Sequence, residues 1–190
     1  WSIIELGERV EILDIGCDIL EHVASRASDH IGSGAEGPAR AIDYLAFFIA
    51  SRGGTVASLL LDGYPTDAGA LLRSMLEAQA LQILIEKEPG RAAGWFKGKR
   101  VPEAVILKAV QSGTGLGRAW GVLGKVVHPN YVALENQVGA EGSMGMHGVR
   151  RPEQLHKLTA NFGVLVTQET QFMGRQVPET LLGDTNLEAL

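Results

Sequence analysis

Tyr64–Glu88, YPTDAGALLRSMLEAQALQILIEKE, decides the fold. Plotted at the helical advance of about 100° per residue, nearly its whole circumference is apolar. Such a helix sits at the centre of a helical core. Gln79, Gln82 and Glu86 share one narrow polar stripe, and Arg73 and Glu77 lie together on the opposite side. Their axial neighbours Ala70, Ala80 and Leu84 are apolar, which places a charged i,i+4 pair inside the core. A buried pair of this kind either fixes helix register or forms a polar pocket in which Arg73 binds a small anion and Glu77 orients it. The structural role is the commoner of the two.

Outward from this helix, the other segments also read as helical. In Ser2–Ile31 the residues Ile3, Leu6, Val10, Leu13, Cys17, Leu20, Ala24, Ala27 and Ile31 alternate spacings of three and four, an a/d seam. Ile12, Ile15, Ile19 and Val23 widen that seam beyond a simple two-stranded one, which predicts a bundle helix or a helix shared between a bundle and a homodimer. The far side carries Asp18, His22 and, further on, His30; a solvated face explains them better than a metal site. Gly32–Gly37 breaks the helix, Pro38 fits a first turn, and Ala39–Leu61 follows. Gly53-Gly54 inside it predicts either a kink or a neighbour packed on bare backbone. The short Asp62–Pro65 link makes this helix an antiparallel neighbour of the central one, with Thr66 or Asp67 as cap.

Beyond Pro89-Gly90 come a short segment Arg91–Lys97, a helix from Pro102-Glu103 to about Gln111, and another over Arg118–Val127 that stops at His128-Pro129. A glycine-rich stretch spans Gly139–Gly148, and Arg151–Gln176 is the last long helix. No strand alternation and no repeat period occur. The expected fold is therefore all-α: an antiparallel helical bundle of four main helices plus short ones, a single domain over residues 1–176, with a C-terminal tail over 177–190.

Composition narrows the function classes. The 190 residues are 45% hydrophobic and 21% charged, which is globular. A net charge of −5 and the absence of a dense Lys/Arg run argue against a nucleic-acid partner, leaving room only for a small local RNA site. The single cysteine, Cys17, precludes an intrachain disulfide and points to a reducing, cytoplasmic setting. No signal peptide is read, and the apolar runs are broken short of the roughly 20 residues of a membrane span. The chain starts at Trp1, which leaves room for preceding residues. Gly113-Thr114-Gly115 begins a dinucleotide fingerprint that fails at Arg118, and Gly124-Lys125 fails as a phosphate loop at Val126. No metal spacing and no nucleophile signature is present, so no cofactor is expected. His128 joins Arg73 and Glu77 as the third candidate of a polar cluster, since a helix C-terminus favours its protonated form.

Leu72–Glu77, the following Pro89–Phe96 segment, and Trp120–Leu123 leading to His128-Pro129 together resemble a large family of bacterial all-helical proteins of no established activity. That resemblance implies a helical bundle with Arg73, Glu77 and His128 as its marked positions. Arg151, or Arg150, followed by His156 is more distantly similar to the HEPN bundles, many of them dimeric, metal-independent ribonucleases of toxin or phage-defence systems. It implies Arg151 and His156 as a nuclease pair. The sequence favours a non-enzymatic dimeric binding or regulatory module. Such a ribonuclease, and a small-molecule hydrolase or lyase using Glu77 and His128, are the alternatives.

Overall fold

A computed structural model describes residues 3–111, 120, 121, 123 and 152–176, side chains at a few helix ends excepted. Among them the fold is all-α, with no strand. The helices are α1 (Ile3–Gly32), α2 (Gly37–Asp62), α3 (Pro65–Lys87), α4 (Arg91–Phe96), α5 (Glu103–Gln111) and α6 (Pro152–Gln176). The tail, the Gly113–Gly117 loop, Gly139–Gly148, His128 and Arg151 lie outside the described residues.

Chain reversals follow from local chemistry. Gly34 and Gly37 both take positive φ between α1 and α2, and Gly63 (φ 84°) ends α2 with its N–H bonded to the Leu59 carbonyl. Pro38 and Pro65 occupy first turns, where a missing N–H costs nothing. The expected cap by Thr66 or Asp67 does not form: Tyr64 is the N-cap residue and its side chain makes no capping bond.

α2 packs between α1 and α3, and α6 packs on α1 and α3 and touches α2. α5 leans on α3, and α4 bridges α2 and α3. On α1 the buried stripe is Leu13, Gly16, Leu20, Val23 and Ala27. It keeps the three/four spacing and shares Leu13, Leu20 and Ala27 with the seam read from sequence, but Gly16 and Val23 are buried in place of Cys17 and Ala24, and Val10, Ile12 and Ile15 are exposed. Gly16 explains the shift. The Phe162 ring of α6 occupies the place where a side chain at 16 would stand. Gly53 of α2 works the same way toward Leu20 of α1, whereas Gly54 faces open space. The double glycine is thus a packing site on bare backbone for one of its two members. Cys17 is partly buried beside this contact, and burial, with Asp14 the next cause, pushes its thiol pKa up.

By length and composition alone, α2 is long and apolar enough to cross a membrane, although Arg52, Gly53 and Gly54 interrupt its apolar run as the sequence reading noted. In the fold it buries Ala41, Ile42, Leu45, Ala46, Ile49 and Val56 against the other helices.

Candidate functional site

Arg73 projects from the middle of α3 and is buried. Its guanidinium donates through Nε to Glu77 Oε1 (2.9 Å), through Nη1 to the Trp120 carbonyl (3.0 Å) and through Nη2 to Glu103 Oε1 (2.8 Å). The same plane stacks on the Trp120 ring at 3.5 Å from its centroid, a cation–π contact. One side chain thus ties α3 to the start of α5 and to the segment at Trp120. A fork of fixed donors does this where a lysine ammonium would not.

The expected polar cluster is therefore corrected in two respects. Glu77 is no buried partner: its side chain is 49% exposed, and that of Glu103 is 61% exposed, against 9% for Arg73. The pair is a buried cation reaching out to two wet carboxylates. Arg73 is also spent. With both acids on its fork it is not the anion anchor that the sequence suggested. His128, the third candidate, lies outside the described residues. Glu103, thirty residues along, takes the third place and had no local signal.

Beside this latch lies a cavity of about 590 Å³ between α2, α3, α5 and the α4–α5 link. Its aromatic wall is Tyr44, Phe48, Trp95 and Trp120. Glu77, Glu103, Lys99 and Arg100 bring charges of both signs to its lining, and Leu45, Ala78 and Leu81 contribute to its apolar wall. Gly98, at φ 74°, lets the chain turn back after α4, and the Lys99 stem then lies over Gly94. Trp95 and Phe96 meet edge to face at 5.2 Å, which holds the aromatic wall at this corner.

A second polar cluster lies deep between α2, α3 and α6. Glu169 is fully buried, accepting from Gln79 Nε2 (3.1 Å) on Oε2 and from Gln82 Nε2 (2.9 Å) on Oε1. The amides also reach the Leu165 and Ile42 carbonyls, both at 3.3 Å, while Gln79 Oε1 and Gln82 Oε1 find no donor among the described residues. Burial lifts the Glu169 pKa to about 7, and the two amide bonds only partly offset it. Gln79 and Gln82 of the polar stripe of α3 thus face inward to α6 while Glu86 is exposed, and Glu77 of the supposedly buried pair faces out. Helical spacing shows which residues share a face but not which neighbour covers it. A third pair, unforeseen, is His30 Nδ1 at 2.8 Å from the buried Asp43 Oδ2 across the α1–α2 turn; burial raises the Asp43 pKa and His30 opposes this.

His156 of the nuclease pair is exposed on α6, at a small cavity it shares with Glu8, Arg9, Ile12 and Thr159. Among the described residues no group of three acids, histidines or cysteines could hold a metal, and His30 is joined to Asp43 rather than to Asp18 or His22. No family model, characterised protein or solved structure matches the chain.

Proposed function

We propose that this chain is a non-enzymatic, dimeric helical-bundle module that binds a small molecule in the cavity beside Arg73. The observation that carries this is the combination of an aromatic wall, Tyr44, Phe48, Trp95 and Trp120, with four charged side chains around about 590 Å³. Sites for small ligands are concave and mostly apolar, with a few placed polar groups. Glu77 and Glu103 are pinned by one guanidinium, which fixes their positions in advance of any ligand. That suits holding a molecule more than moving its protons.

The same proposal covers arrangement. Gly53 against Leu20 and His30 against Asp43 support antiparallel α1 and α2, and the Gln82 bond to Ile42 supports antiparallel α2 and α3. Along α1 and α6 the numbers rise together, from Glu8 and Arg9 beside His156 to Gly16 beside Phe162. We read α6 as running with α1, which amends the antiparallel bundle of the sequence reading. The exposed Val10, Ile12 and Ile15 of α1, with Ile12 against Gly163 of α6 beside exposed Val164, supply an apolar surface for the second copy. Light scattering is expected to give twice the 20.3 kDa chain mass, and Ile12→Asp to give the monomer.

The cavity is tested with 2-naphthol as a charge-free probe. Calorimetry is expected to show saturable binding that Ala78→Phe, filling the cavity, abolishes while circular dichroism stays unchanged. Binding that survives Ala78→Phe would place the probe elsewhere and sink the reading.

A further inference from the structure

The cavity is lined by two acids held by one guanidinium and by two bases adjacent in the chain. Glu77 and Glu103 each give Oε1 to Arg73, and among the described residues Oε2 of each has no partner. With Arg73 the trio carries a net charge of −1, so the acid side still attracts a cation. Lys99 and Arg100 line the same cavity from the α4–α5 link, and among the described residues no carboxylate pairs with either. Trp95, Trp120, Tyr44 and Phe48 line the same cavity. An ammonium group is favoured beside aromatic faces and a carboxylate, and a carboxylate ligand beside an unpaired guanidinium.

Building on the reading of this cavity as a ligand site, we propose that it takes a small zwitterion with a flat apolar body, of the aromatic amino-acid class. The ammonium sits at Glu77 and Glu103. The carboxylate faces Lys99 and Arg100. The apolar body fills the space along the aromatic wall. A ligand bearing only one charge would leave either the acids or the bases without a counter-charge while shielding them from water, which is how a site discriminates by more than apolar fit alone.

The test compares L-tryptophan, tryptamine, indole-3-propionate and indole by calorimetry on the full chain. Tryptophan is expected to bind at least tenfold more tightly than either singly charged analogue, and indole least. Glu77→Gln with Glu103→Gln, both on exposed side chains, is expected to abolish the preference for tryptophan over indole-3-propionate. Lys99→Gln with Arg100→Gln is expected to reduce tryptophan to the level of tryptamine. Equal binding of tryptophan and either analogue overturns the zwitterion assignment. Equal, saturable binding of all four, abolished by Ala78→Phe, overturns it and leaves the cavity as a ligand site; failure of all four and of 2-naphthol overturns both.

Discussion

Arg73 and Glu169 are both buried charged-type residues on facing parts of one core, yet they are treated in opposite ways. Arg73 is buried beside partners that stand in water: Glu77 and Glu103 are largely exposed, and only the guanidinium gives up its hydration. Glu169 has no cation among its described partners and rests on two neutral amides, each of which also holds a backbone carbonyl. Two amide donors replace only part of the water that an ionised carboxylate loses, so the proton returns near neutral pH. The lesson is that burial of the residue matters less than where its partner stands. A buried cation beside wet acids is paired at little cost, whereas a buried acid among neutral groups stores a pH dependence.

The strongest way to break this comparison is Arg73→Met. It strands the Trp120 carbonyl, at about 1–3 kcal/mol, and removes the ring stack, at about 1–2 kcal/mol. Urea unfolding is expected to show a loss of about 2–5 kcal/mol, the sum of those two effects. A loss below about 1 kcal/mol would make the latch an ordinary surface pair.

Glu169→Gln tests the other side. The group's folded pKa, about 7, exceeds its ordinary 4.5, so the folded state holds the proton more firmly. The associated stability is fully present below about pH 4.5 and is lost as pH rises through about 7. At about 1.4 kcal/mol per unit, the neutral variant is expected to be more stable than the parent by about 3 kcal/mol at pH 8 and equal to it at pH 4. Unfolding curves at the two pH values measure this, and parallel behaviour across them would remove Glu169 as the cause.

The smallest effect is expected at the i,i+4 pair that the sequence reading placed inside the core. Glu77→Ala removes a wet partner and leaves Arg73 on Glu103, so it is expected to cost no more than about 1 kcal/mol. A near-unfolding result would restore the buried pair. The contrast shows what was legible. The helices were, to within a few residues, because the three/four spacing and the Gly and Pro punctuation are local. Gly53 was flagged for the same reason. Glu103 and Trp120, which complete the Arg73 site, stand thirty and forty-seven residues away, and Glu169 meets Gln79 from the far end of the chain. Spacing within α3 identifies two opposed polar sides but cannot say that α6 will cover the one and water the other.

The route by which α6 arrives has a consequence for folding order. α1, α2 and α3 are joined by tight turns, so their contacts close over short loops. α6 begins sixty-five residues after α3 ends, and its docking carries a larger chain-closure cost. Until then Gln79 and Gln82 have only water where Glu169 will stand. In native-state hydrogen exchange α6 is therefore expected to open at a lower free energy than α2, and raising the pH through 7 should widen that gap.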